Sequence, residues 1–336
     1  MSPAPHVLPR RNLLKLAGGV VSAGALLGVS GCGLLGGSQN SSGNGQVEKA
    51  RIKVGVLPVN DLAPLHLAVR NGYFRDEGLE VEVATAPDGT AALNSTIGGD
   101  YDITYSSYVP FFQAQASGVA DLKIVADCSA AAPNTTVIMT APDSGVRTPE
   151  DLADAKIAIS GPNTISELLV KATMKAHNVD FSGVEWAPIP FINMPNALQQ
   201  GQVDAAILTE PFLTKASRSG AAIPVVDTAT GPLEDLPLTG YGATAQFCEE
   251  NPKTVAAFQR AMDRAVTEAQ DRSKIEPLLP EFAKIDPETA SIINLLKFNS
   301  KADVNRLQRV PRLMKDLGYI DKDIDVASMI VQPDQN

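Results

Sequence analysis

Short apolar runs alternate with amphipathic helical stretches from Arg51 to about residue 250, and this alternation restricts the fold more than any other feature of the chain. Candidate strands are Arg51–Leu57, Leu79–Thr85, Asp102–Tyr105, Leu122–Asp127, Thr136–Thr140, Lys156–Ser160, Glu185–Pro188, Ala205–Thr209, Ile223–Asp227 and Tyr241–Phe247. Helical patterns separate most of them, which predicts an α/β fold with largely parallel sheets. After Asn251 the pattern turns helical to the end. Asn251-Pro252 reads as an N-cap and first-turn pair, and Val255, Phe258, Met262 and Val266 form one core-facing stripe. The chain also echoes itself. Gly99-Asp100-Tyr101-Asp102 and Gly201-Gln202-Val203-Asp204 each join a helix to a short apolar strand, and each strand runs into a polar loop containing Pro. Two related α/β lobes would produce that echo.

The N-terminus reads as an address. Residues 1–31 hold Arg10, Arg11 and Lys15 and no acid, and Pro9-Arg10-Arg11-Asn12-Leu13-Leu14-Lys15 has the twin-arginine pattern. Leu16 to Gly31 is uncharged but rich in Gly and Ala, and shorter than the roughly 20 apolar residues a spanning helix needs. Val29-Ser30-Gly31-Cys32 is an aliphatic residue, two small ones and a cysteine, the bacterial lipobox pattern. Cys32 is therefore the expected acylation site after removal of a signal peptide, 1–31. Residues 32–50 carry that cysteine and a Gly-, Ser- and Asn-rich tether. About eighteen such residues reach roughly 20–25 Å on average.

Charge and composition exclude several functions. Formal net charge is −10, and the part after residue 31 carries −13. Nucleic acid is a poor partner for that balance, because phosphate contacts need clustered Lys and Arg. Cys32, Cys128 and Cys248 are too few for a disulfide or zinc framework. Neither a Walker A, a G-x-S-x-G, an H-E-x-x-H nor a C-x-x-C occurs, so no cofactor or metal is implied and no catalytic residue is assigned.

Several segments together resemble one family, the NMT1/THI5-like and SsuA/TauA-like binding proteins of ABC importers. They are Pro58 to Pro64, Asn71-Gly72-Tyr73-Phe74 with Glu77 to Glu82, Gly99 to Asp102, Asp143 to Val146 with Asp151-Leu152, Gly201 to Asp204, and Thr209 to Phe212. Ala155 departs from the family's usual Gly before Lys156. The resemblance implies a type II periplasmic-binding fold, in which two α/β lobes hold a ligand cleft between them. Lobe one would span residues 51–135 plus 245–336, and lobe two 136–244. It also implies a small-molecule ligand, an ABC permease with its ATPase, a monomer, and a lipid anchor on the extracytoplasmic face of the cell membrane. A pyrimidine-synthesis enzyme and a ligand sensor without transport are the alternatives. The fungal synthases carry a cysteine-rich run that this chain lacks.

Open α/β sheets bind ligands beyond the carboxyl ends of their strands. The candidates are therefore loop residues, each with a structural alternative. Asn60 and Asp61 follow the first strand, where Asp61 either accepts from a ligand N–H or caps the helix near Pro64. Ser106, Ser107 and Tyr108 follow the third, beside a helix start that suits a polar head group or plain capping. Asn134 and Thr135 reach a cleft ligand or make the turn after Pro133. Asn163 and Thr164 lie in a small-residue loop opening a helix. Phe191 stacks on a flat ring or packs in the core. Glu210 pairs with a cationic group or holds its loop. These loops hold two acids and no Arg, which leans toward a neutral or amine-bearing heterocycle over a sulfonate, nitrate or taurine-like anion.

Cys32→Ser is expected to abolish metabolic lipid labelling and release the protein or leave it unprocessed. Labelling that survives the change rules out the lipobox assignment.

Overall fold

The computed structural model describes residues 46–332, so the expected signal peptide, Cys32 and most of the expected tether lie outside the described residues. Eleven strands are described: β1 Arg51–Val56, β2 Glu80–Thr85, β3 Ile103–Ser107, β4 Leu122–Ala130, β5 Thr136–Thr140, β6 Lys156–Ile159, β7 Glu185–Pro188, β8 Ala205–Thr209, β9 Ile223–Asp227, β10 Pro237–Thr244 and β11 Lys297–Phe298. They form two sheets, ordered β11-β4-β10-β3-β1-β2 and β7-β6-β8-β5-β9. Helices cover both, which makes two α/β lobes. This is a type II periplasmic-binding fold.

The sheets are mixed rather than largely parallel. β1 runs parallel to β2 and β3, and β6 to β7 and β8. β10 is antiparallel to β3 and β4, and β5 to β8 and β9. An apolar run buried on both faces, such as β8, reads the same in either direction, so periodicity could not report this. β10 also corrects the expected lobe boundary. It was placed in lobe two, yet it pairs within the first sheet, so the return crossing lies between β9 and β10. Its start was missed because Pro237, Gly240 and Gly242 read as breakers. The expected Tyr241–Phe247 strand runs three residues too far, because Thr244 caps the helix Ala245–Glu250 by accepting from Phe247 N. The helical C-terminal third is interrupted once, by β11 at the edge beside β4.

The internal echo is structural. Asp102 N donates to Lys53 O and Asp102 Oδ2 accepts from Lys53 N, both at 2.9 Å. Asp204 repeats the pair on Lys156, at 2.8 and 2.7 Å. Each aspartate thus pins the loop before one strand, β3 or β8, to the start of another, β1 or β6. Gly99 and Gly201 make the turns, at φ 85° and 62°. Strand order repeats too: β2-β1-β3-β10-β4 matches β7-β6-β8-β5-β9.

The helix Pro252–Ala269 buries the predicted stripe of Val255, Phe258, Met262 and Val266. Asn251 is its N-cap residue with Pro252 in the first turn, as expected, but the Asn251 side chain donates to Phe247 O and makes no capping bond. Glu48 accepts from Lys253 N and Thr254 N instead, tying the end of the tether to this helix. Asp127, fully buried on β4, accepts from Tyr108 Oη at 2.6 Å and from Arg306 at 3.1 Å. Burial outweighs those bonds and pushes its carboxyl up to about 6. Cys128 and Cys248 are free and buried, and Cys248 lies on a helix, not a strand. No described helix is long and apolar enough to cross a membrane.

Gly99→Ala and Gly201→Ala meet no atom within 4 Å of the added Cβ, so only backbone strain opposes them. Each is expected to cost about 1–2 kcal/mol, read as a lower denaturant midpoint at unchanged slope.

Candidate functional site

Strands β1 and β6, one from each lobe, end at a shared cavity of about 70 Å³, room for about two waters. Asp61 and Tyr105 line it from the turn after β1 and from β3. Thr136 and Thr209 line it from a paired position on β5 and β8, and Thr239 from β10. Leu57, Val59, Ile207, Leu238 and Leu296 supply the apolar wall. Phe191 adds a ring that stacks on Phe212 at a centroid distance of 6.4 Å.

Three helices start at the cavity. Gly89 opens the helix Gly89–Ile97, Ser107 is the N-cap of Tyr108–Ser117, and Thr164 is the N-cap of Ile165–Ala176. N–H groups at such ends favour an anionic or acceptor-rich group, and two are already met, Ala91 N by the Asp88 carboxylate and Ile165 N by Ser107 Oγ. Ser160, Thr164 and Ser166 interlock through their hydroxyls at 2.7–3.2 Å, which shapes the lobe-two side. Ser107 Oγ accepts from Ile165 N at 3.3 Å, a direct bond between the lobes.

Asp61 gives the cavity its carboxyl group. It does not cap a helix: the cap position of Ala63–Asn71 is Leu62 and has no side-chain bond. Its Oδ2 lies in hydrogen-bond contact with Ser129 Oγ at 2.7 Å and Thr239 Oγ1 at 3.1 Å. Burial raises its proton affinity, while the bonds from Ser129, Tyr105 and Thr239 work the other way. Among the described residues, no lysine, arginine or histidine lines the cavity. His66 is elsewhere, stacked on Phe282 at 4.1 Å, and burial holds its imidazole down to about 4.

A family model described as NMT1/THI5 like matches residues 59–273. The chain belongs to the NMT1/THI5-like family. It is 27% identical over 285 residues to a protein of Escherichia coli (strain K12) named for binding aliphatic sulfonates, covering 82% of this chain and 85% of the relative. It is 24% identical over 202 residues to the formylaminopyrimidine-binding protein of Halalkalibacterium halodurans, covering 59% of each. Its fold matches the alkanesulfonate-binding protein SsuA from Xanthomonas axonopodis pv. citri bound to MOPS, with a TM-score of 0.72 at 18% identity over 84% of this chain and 98% of that one. These relatives are binding proteins, not enzymes.

Within this NMT1/THI5-like chain the sequence candidates divide. Asp61, Ser107, Thr164 and Phe191 line the cavity. The others do not. Ser106 points away and donates to Gly89 O. Tyr108 is core and serves Asp127. Asn134, at φ 57°, turns the first crossing, and Thr135 Oγ1 closes that turn on Ala132 O. Asn163, at φ 58°, shapes its loop and donates its N–H to Glu167. Glu210 is fully buried beside the crossings, where its carboxylate accepts from Thr214 Oγ1, Thr214 N and Asn294 N. Asn60 Nδ2 donates to Asn294 O, and Asn294 Nδ2 donates to Asn134 O. Asn294 thus ties together three residues that sequence reading placed on a ligand.

Tyr105, Thr136, Thr209 and Thr239 were missed. Each lies inside a strand, where Thr and Tyr read as ordinary β formers. Their one signal is position: all fall within three residues of a strand end that faces the other lobe.

Glu210→Ala strips three donors of their acceptor and is expected to cost about 1–3 kcal/mol of stability. A denaturation midpoint unchanged from the parent would return Glu210 to the list of ligand contacts.

Proposed function

We propose that this chain is the solute-receiving lipoprotein of an ABC importer, anchored through Cys32 on the extracytoplasmic face of the cell membrane. It acts as a monomer, captures a small organic molecule in the cleft and presents it to a permease and its ATPase. The family, the relatives' names and the leader with its lipobox support this reading. The observation that carries it is the cavity between the lobes, partly open to solvent and built from a carboxyl group, hydroxyls and three helix starts.

That lining favours a dipolar ligand. An N–H donor or protonated nitrogen fits Asp61. An acceptor-rich or anionic end fits the helix starts at Ser107 and Thr164. Phe191 and the aliphatic wall accept a flat or apolar body. Amino-sulfonates and aminopyrimidine-like heterocycles both have this shape of charge, whereas nitrate lacks the donor end.

Closure gives the permease its signal. The bond from Ile165 N to Ser107 Oγ and the link from Asn294 N to Glu210 join the lobes, so ligand contacts from both sides shift the balance toward the closed form.

A thermal-shift screen of taurine, alkanesulfonates, aminopyrimidines and nitrate tests the reading. A ligand at about 100 times its Kd adds roughly 2.7 kcal/mol. Donor-bearing compounds are expected to raise the melting temperature and shrink the radius of gyration in solution scattering, and nitrate is expected to do neither. Stabilisation by nitrate alone would overturn the ligand class. A compound that binds and returns chemically altered would make the chain an enzyme.

A further inference from the structure

Behind the cavity, oxygens from four separate segments meet. Asp61 comes from the turn after β1, Tyr105 from β3, Ser129 from β4 and Thr239 from β10, and all four are buried. Ser129 Oγ and Thr239 Oγ1 lie 2.7 and 3.1 Å from the same atom, Asp61 Oδ2, and only 2.6 Å from each other. Each such contact needs a proton of its own. Two hydroxyls supply two protons for three contacts. If both serve a carboxylate, the shortest contact becomes a bare pair of oxygens. Tyr105 brings one proton for two contacts, with Asp61 and with Thr239, so it has none to spare for the three short ones. Those three each have a proton of their own when Asp61 carries one. Its O–H then donates to one hydroxyl, that hydroxyl to the second, and the second back to Oδ2.

The surroundings agree. The titratable groups facing Asp61 are Tyr105 on β3, Cys128 on β4 and Tyr241 on β10, each deeply buried and pushed up toward its neutral form. Asp127 is the next acid along β4, and its carboxylate is engaged by Tyr108 and Arg306. Among the described residues, no cation lines the cavity to hold an ionised Asp61.

The geometry points to Asp61 as a proton-exchange recognition group, a neutral acid in the empty cleft that gives up its proton to solvent when a protonated ligand nitrogen takes the place beside it. This rests on the cleft being the ligand site. In the exchange the O–H bond breaks, its electron pair stays on Asp61, and the ligand N–H⁺ becomes the donor. The ligand class is a small organic cation or zwitterion with a protonated nitrogen. Its affinity rises with pH by up to tenfold per unit until Asp61 ionises in the free protein.

The test needs no ligand, so it fails separately from the screen above. Infrared difference spectra of the wild type against Asp61→Asn, at about pH 5.5 where an ordinary aspartate is ionised, are expected to show a protonated-acid carbonyl band that the variant lacks. Carboxylate bands in its place overturn the proposal. The amide of the variant keeps one donor for the ring, which favours folding. Should it misfold, carboxyl-carbon NMR titration of ¹³C-aspartate wild type, with the Asp61 signal identified by its shift in Ser129→Ala, gives the same answer. The melting temperature supplies a second reading. With the folded-state pKa raised, the unfolded chain loses its proton first as pH climbs past about 4. Wild-type stability is then expected to fall relative to Asp61→Asn above that point. A difference that stays flat from about pH 4 to 7 overturns the assignment.

Discussion

Each sheet is completed by a strand that reaches it from the other lobe. β10 enters the first sheet directly after the second crossing, between β3 and β4, and β5 leaves the first crossing to lie between β8 and β9. Neither lobe can bury its central strands without the chain crossing the cleft. Thr136 opens β5, and Thr239 lies near the start of β10, and both line the cavity. The strands that hold the cores together are therefore also strands that line the cavity between the lobes.

That arrangement explains the uneven legibility of the sequence. Thr136–Thr140, Glu185–Pro188, Ala205–Thr209 and Ile223–Asp227 are short apolar runs between breakers, and the structure keeps their bounds. Their direction depends on which sheet the crossing delivers them to, a non-local fact that periodicity does not carry. β10 fared worst because its glycines serve close packing. A Cβ at Gly240 would run into the Tyr108 ring, and one at Gly242 into Phe111. What reads as a break in a lone strand is here a fit between layers.

The site shows the same split at finer grain. Some loops after strands line the cavity, and within them one residue decides which side chain reaches it. Ser107 lines the cavity while its neighbours Ser106 and Tyr108 bond Gly89 and Asp127. Side chains alternate along a strand, so a loop-level reading cannot separate them without the register. Glu210 and Asn294 lie 84 residues apart, and no local pattern announces a bond between them. A buried carboxylate in the last cleft loop looks the same on paper whether it meets a ligand or a backbone N–H.

Asp61 and Glu210 make that comparison concrete. Both are buried carboxyl groups near the cleft, and burial raises the proton affinity of each. Two backbone N–H groups, from Thr214 and Asn294, point at Glu210 and help an ionised form. Every hydroxyl around Asp61 can donate or accept. A site that must stay joined gains from fixed donors, because they hold one charge state. A site that alternates between empty and occupied gains from hydroxyls, because they reverse direction when a proton leaves. The helix starts at Ser107 and Thr164 add fixed positive ends to the same cavity. With Asp61 exchanging its proton as proposed, the pocket has one adjustable pole and one constant pole, the arrangement that a ligand carrying both signs of charge would need.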